Sequence, residues 1–162
     1  MTTPPGSNGP PSTTTLPELF LSSTDPILGL RVYGTDSTRM FPASWTVLRV
    51  ANDPSAEVYL NDATVSRRGS SGSGHATIRR QGTSVIVADA GSKNGTFLEG
   101  EPRSLFELRP GSVVRFGGVA MVAMSQATEA VRARFMRFVG FESTYLLDVE
   151  HATYAAFDAN QK

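Results

Sequence analysis

From Ile27 to Ser125 the chain alternates between short apolar runs and turn residues. "ILGLRVYG" reads as a strand ended by Gly34. In "SWTVLRVA", Thr46, Leu48 and Val50 share one side, and Val47 and Arg49 face the other. The turn signal "NDPS" precedes "AEVYL", and "HATIRRQ" and "TSVIVAD" flank Gly82 as a hairpin. "GTFLEG", "SLFEL", "SVVRFG" and "VAMVAMS" complete the series. Many short β-branched segments with no helical period between them predict an all-β sandwich or barrel over residues 27–125.

The period then changes. "ATEAVRARFMRFVG" sets Ala127, Val131, Phe135, Phe138 and Val139 on one stripe, with Arg132, Arg134 and Arg137 off it. Gly140 suits the position after a helix end, and the arginines suit the helix dipole. "STYLLDVEHATYAAFDA" predicts a second helix capped by Ser143. Residues 126–162 therefore read as a helical extension leading into a further domain of a longer protein. At the other end, residues 1–26 hold six of the ten prolines among many Ser, Thr and Gly. Such a segment buries too little apolar area to offset its ordering entropy and predicts a disordered tail.

Composition narrows the chemistry. Lys+Arg and Asp+Glu are both 15, so the formal net charge is zero. A general nucleic-acid binder needs a basic excess, so direct nucleic-acid binding by this segment is not expected. With no cysteine, thiolate chemistry and disulfides are excluded. No apolar run approaches the roughly 20 residues of a membrane helix, and the N-terminus lacks the pattern of a signal peptide, so a cytoplasmic location without membrane contact is expected. There is no Gly-rich nucleotide loop before a helix, no metal-ligand cluster and no nucleophile elbow. An enzyme, a cofactor and a metal are therefore not expected.

The most specific stretch is "VIVADAGSKNGTFLEG", Val85 to Gly100. With "NDATVSRR" upstream and "LRPGSVVRFGG" downstream, it resembles the forkhead-associated (FHA) domain over residues 27–125. The resemblance implies a β-sandwich of about eleven short strands whose end loops bind a phosphothreonine in an extended peptide. It implies phosphate contacts by Arg49 and by the Ser66 hydroxyl, with Arg67 beside them. Asn94 would hold the peptide main chain and Lys93 would line the pocket. His75, Gly95 and Thr96 fall on scaffold positions. The inventory is physically apt. A phosphothreonine carries roughly −1.5 to −2 charges and three strong acceptors, so it needs a fixed cation and hydroxyl or amide donors on held loops. An arginine supplies a planar fork, and an asparagine both a donor and an acceptor.

Three positions depart from the family pattern. Leu48 stands where a glycine usually precedes the arginine, so either Arg49 is displaced or Leu48 is accommodated. Ser112 replaces an acidic turn residue. The third departure is "GSSGSG", residues 69–74, which puts His75 nine positions after Ser66 where the family has Ser-x-x-His. Two registers follow: Ser66-Arg67-Arg68 with a six-residue insertion, or a loop counted back from His75 that loses both Ser and Arg. The first matches "DATVSRR" and is preferred. Loop entropy grows slowly with length, so the fold should survive, but a slack loop would have to be ordered on binding.

Blander readings stand beside these. His75 fits a buried scaffold residue, "SKNGT" alone fits a hairpin turn, and "RRGS" also resembles a basophilic kinase site. The expected function is a phosphothreonine-peptide-binding interaction module in Ser/Thr kinase signalling. Its partner would be a phosphothreonine-containing protein or the parent protein itself, and the setting a bacterial regulator, including a transcriptional one. The alternative is an FHA-like scaffold or assembly domain that no longer binds phosphopeptide.

Overall fold

The computed structural model describes residues 25–139, and the side chains of 135–139 are outside its description. The predicted N-terminal tail up to residue 24, Gly140 and the predicted second helix lie outside the described residues. Eleven strands form two sheets. The first sheet has the order β2 (Thr38–Met40), β1 (Ile27–Val32), β11 (Val119–Ser125), β10 (Val113–Phe116), β7 (Thr96–Leu98), β8 (Glu101–Pro102). The second runs β4 (Val58–Tyr59), β3 (Val47–Ala51), β5 (Ala76–Gln81), β6 (Ser84–Asp89), β9 (Leu105–Leu108). The fold is an all-β sandwich, followed by helix α1 (Gln126–Val139).

Alternation along the strands builds the core. Leu48 and Val50 of β3, Ile78 of β5 and Val87 of β6 are buried on one sheet. Leu30 of β1, Val114 and Phe116 of β10 and Met121 of β11 meet them from the other. The β5–β6 hairpin turns at Gly82, as its sequence predicts, and pairs Ala76 with Asp89 at its far end. That register carries His75 and Ala90 to the same edge of the sheet, where the loops of interest gather. Two strands have no counterpart in the apolar pattern. β2 is exposed on both ends and only half-buried at Arg39, and β8 is a two-residue edge strand containing Pro102.

Leu48 is accommodated. Only 1% of it is exposed, and it pairs with Ile78 in the antiparallel register. Because successive side chains leave a strand on opposite faces, burying Leu48 turns Arg49 outward. Ser112 sits in a tight turn in which its N–H donates to the Arg109 carbonyl at 3.0 Å, so no carboxylate is needed there.

Helix α1 begins on a reciprocal cap. Ser125 Oγ accepts from the Thr128 N–H at 3.2 Å, and Thr128 Oγ1 accepts from the Ser125 N–H at 2.8 Å. The Ala127 N–H donates to Asp25 at 3.0 Å. Off the apolar stripe, the Arg132 side chain is still mostly buried, pairing with Asp36 and, at 3.9 Å, with Glu129. Glu129 also faces the buried Arg31 of β1 at 3.9 Å. The Arg132 guanidinium donates a hydrogen bond to Asp36 and holds its carboxyl below the usual range.

Candidate functional site

Three loops meet at the edge defined by His75 and Ala90. The first runs from β3 to β4, the second from β4 to β5, and the third from β6 to β7. His75 is fully buried and fastens two of them. Its Nδ1 accepts from the Ser66 N–H at 3.0 Å, and its Nε2 lies 2.8 Å from the Gly95 carbonyl. Those partners fix the tautomer, since Nδ1 must accept and Nε2 must donate. The ring therefore serves as a neutral imidazole. Burial pushes its pKa below the usual histidine range, against the opposing pull of Gly95 and Asp89. Its ring also stands edge-on to Phe116 with centroids 6.0 Å apart.

This geometry selects the first of the two registers: Ser66, not residue 72, is the serine held by His75. The Ser66 hydroxyl accepts from the Lys93 N–H at 3.0 Å, which joins the second loop to the third. Asn94 adds another tie, with Nδ2 donating to the Thr64 carbonyl at 2.8 Å. Lys93 and Asn94 are otherwise exposed.

Asp89 builds the "SKNGT" turn. It accepts from the N–H groups of Gly91 and Ser92, both at 3.0 Å. Its other oxygen accepts from Ser92 Oγ at 2.6 Å and Thr96 Oγ1 at 2.7 Å. Burial pushes the Asp89 carboxyl up, but the hydrogen bonds from Ser92 and Thr96 outweigh it and hold the pKa below its ordinary value. Thr96 is buried in this contact, and Gly95 adopts a φ of 81° that favours glycine.

Thr64 and Asp62 organise the second loop. Asp62 accepts from the Thr64 N–H at 2.8 Å and from its hydroxyl at 2.5 Å, a local turn. The Thr64 hydroxyl in turn accepts from the Gly118 N–H at 2.6 Å. Neither residue is a sequence-predicted site residue; the "D-x-T" spacing is the signal that marks them.

The "GSSGSG" segment differs from its expectation as a slack spacer. The Gly74 N–H donates to the Arg68 carbonyl at 2.8 Å, so the insertion is pinched at its base. Ser70 N–H donates to the Gly91 carbonyl at 3.1 Å, and Ser71 bonds the Ala90 carbonyl through its N–H at 3.3 Å and its hydroxyl at 2.9 Å. The loop lies down on residues 90–91. A Cβ on Gly69 would collide with the backbone carbonyls of Gly74 and Ala90, so the glycine permits the close approach.

Arg49 leaves β3 with its side chain 29% exposed. Its Nη2 donates to Ser55 Oγ at 2.6 Å, and its Nη1 lies 3.5 Å from Asp53 Oδ2. The Arg49 N–H is taken by Glu57 at 2.8 Å. Asp53 forms its own turn, accepting on Oδ1 from the Ser55 N–H at 3.0 Å and hydroxyl at 2.9 Å. Those two hydrogen bonds hold the Asp53 carboxyl below its usual range, helped by Arg49 and Arg67. Arg67 is exposed, with Nε donating to the Asn52 carbonyl at 3.2 Å, while the Asn52 N–H donates to the Ser66 carbonyl at 3.3 Å. Arg49 thus meets the Asp53 carboxylate directly, and Arg67 adds a weaker Coulombic pull on it. Among the described residues there is no cluster of three or more His, Asp or Glu suited to a metal, and no helix long and apolar enough to cross a membrane.

Residues 49–117 match the family model of the FHA domain. This segment is an FHA domain. Among solved structures, one from a study of phosphothreonine-dependent FHA domain interactions superimposes with a TM-score of 0.52 at 26% identity, over 60% of this chain and 95% of that one. The FHA domain of the CT664 protein from Chlamydia trachomatis gives 0.50 at 25% identity, again over 60% and 95%. Similar proteins include the oxoglutarate dehydrogenase inhibitor of Corynebacterium diphtheriae, 42% identical over 69 residues, or 43% of this chain and 44% of that protein. The glycogen accumulation regulator GarA of Mycolicibacterium smegmatis is 36% identical over 72 residues, or 44% of this chain and 42% of that protein. The chain spans less than half the length of these two relatives. The sandwich described above is thus an FHA fold.

Proposed function

We propose that this chain is a non-catalytic, cytoplasmic module that binds phosphothreonine peptides downstream of a Ser/Thr kinase. Arg49, Ser66 and Arg67 would receive the phosphate, Lys93 would line the pocket and Asn94 would hold the peptide backbone. The observation that carries this reading is the joining of the loops: Ser66 is fastened to His75 and to Lys93, and Asn94 to Thr64. Donors on loops fixed in this way meet an anion without first being ordered. The domain limits proposed are 1–26 for a tail, 27–125 for the FHA unit and 126–162 for an extension.

The similar proteins bear the names of an enzyme inhibitor and a metabolic regulator. That favours a phosphorylated protein in the control of an enzyme, or the parent protein itself, as partner over a role at a promoter. The competing reading, a scaffold that has lost phosphopeptide binding, draws on the engagement of Arg49 by Asp53 and Ser55. A degenerate phosphothreonine peptide library, with its dephosphorylated form as control, separates the two. Phosphorylation-dependent binding that is lost in Arg49→Ala with the fold retained is the expected result. No preference for the phosphorylated pool at high concentration rejects the reading in favour of the scaffold.

A further inference from the structure

The β3–β4 loop presents a carboxylate to the cations assigned above to the phosphate. Asp53 is not free to drift: the Ser55 N–H and hydroxyl both hold its Oδ1, leaving Oδ2 toward Arg49 Nη1 at 3.5 Å. Ser55 completes the arrangement by accepting from Arg49 Nη2 at 2.6 Å. Arg67 is tied to the same loop by its hydrogen bond to the Asn52 carbonyl.

We propose that Asp53 is a resident counter-anion of the phosphate site, which holds the Arg49 fork in the free domain and is displaced by the incoming phosphate. The inference rests on the phosphothreonine reading and deepens it. A phosphate outcompetes a carboxylate because it carries nearly twice the charge and three acceptor oxygens. The exchange keeps Arg49 pre-set in one rotamer and lowers the affinity for weaker anions. Asp53 thereby sets a threshold: a dianionic phosphate passes it, whereas an acidic side chain offers Arg49 no more than Asp53 already does. The pair is partly exposed, so the expected effect is that of an exposed ion pair, about two- to fivefold in affinity.

The test compares wild type, Asp53→Asn and Glu101→Gln by fluorescence anisotropy with the degenerate phosphothreonine pool and its unphosphorylated counterpart. Glu101 is an exposed carboxylate on β8 of the other sheet, so its variant makes the same charge change elsewhere. Asp53→Asn should bind the phosphorylated pool about two- to fivefold tighter and should discriminate less against a pool with glutamate in place of phosphothreonine. Glu101→Gln should match wild type. In wild-type protein, the carboxylate carbon resonance of Asp53 should shift in step with saturation by the phosphorylated pool. Unchanged or weaker binding by Asp53→Asn, an equal gain in Glu101→Gln, or a still Asp53 resonance overturns the proposal while the phosphothreonine reading stands. If neither wild type nor Asp53→Asn distinguishes the two pools, the phosphothreonine reading itself fails and the proposal falls with it. Phosphorylation-dependent binding by Asp53→Asn that wild type lacks supports both.

Discussion

Replacing His75 by alanine tests how the loop carrying Ser66 is held. The side chain is fully buried, touches Phe116 edge-on and makes two hydrogen bonds to different loops. Removing it leaves a void, worth about 2–5 kcal/mol for a large-to-small change in a core. The Ser66 N–H loses its acceptor, which costs about 1–3 kcal/mol more if no water replaces it. The Gly95 carbonyl suffers less, because the Gly117 N–H still donates to it at 3.0 Å. Together the loss is about 3–8 kcal/mol, a large share of the roughly 5–15 kcal/mol that holds a domain folded. Urea unfolding followed by tryptophan fluorescence measures it, Trp45 being the single tryptophan and buried. A drop in midpoint at constant slope, with faster exchange of the Ser66 amide, is expected. A loss below about 1 kcal/mol, with that amide still protected, refutes the role given to the ring. The acid response supplies an independent check. His75 takes up its proton less readily in the folded state, so the unfolded chain binds protons first as pH falls through the ordinary histidine value of about 6.5. Stability contributed by the neutral ring is complete above that value and is lost as pH falls toward the lower folded pKa. His75→Gln should lack this component of the pH dependence.

Other substitutions probe other links. Leu48→Gly, which restores the residue usual in the family, should destabilise by about 3–5 kcal/mol in the same assay, because here Leu48 fills the core. Asp89→Ala should cost about 1–3 kcal/mol and loosen the turn carrying Lys93 and Asn94, read as faster exchange of the Gly91 and Ser92 amides. Since the Asp89 pKa is lowered on folding, its contribution is present above the usual aspartate value of about 3.9 and is lost as pH falls through the folded value. Gly69→Ala should undock the inserted loop, with loss of exchange protection at Ser70 and Ser71 and little change at Val50, because a Cβ there meets backbone carbonyls at a φ of 60°.

How much of this was legible beforehand depends on the kind of signal. The strands around Leu48, Ile78, Val87 and Val114 announce themselves because a period-two pattern and burial coincide. β2 and β8 do not, since an edge strand of two or three residues buries no alternating face. Arg49, Ser66, Lys93 and Asn94 stood out as members of a motif, and the fold ties Ser66 to Lys93 and Asn94 to Thr64. Asp53, Asp62, Thr64 and Asp89 did not stand out, because each acts by fastening a loop, through local turns and through hydrogen bonds that span as many as 54 positions in the chain. That Arg132 is mostly buried follows from Asp36 and Glu129 beside it, partners that no pattern in the helix announces. The docked insertion was the least legible element. Glycine and serine look like a linker in one dimension, and only the approach of residues 90 and 91 turns the same residues into a packed loop.

The insertion also explains why sequence spacing is a poor guide to how firmly Ser66 is held. Six added residues would loosen Ser66 if the chain between Ser66 and His75 were the tether. It is not the only one: Ser66 is fixed through space, by its N–H on His75 and its hydroxyl under Lys93. The closed base between Arg68 and Gly74 then isolates the extra length from the loop that matters. Adding residues beyond a pinched base changes the loop-closure entropy only logarithmically, about 0.6 kcal/mol per doubling, and leaves the geometry of the anchors untouched. What the insertion does change is the wall beside Arg49. A Cβ on Gly74 would come within 3.1 Å of Arg49 Cγ, so the returning chain lies against the stem of the arginine. The stem is confined by Gly74 on one side while its head is held by Ser55 and Asp53. The Arg49 side chain is therefore held more firmly than the length of the neighbouring loops suggests, and the returning chain at Gly74 bears on its placement rather than on whether the loops meet.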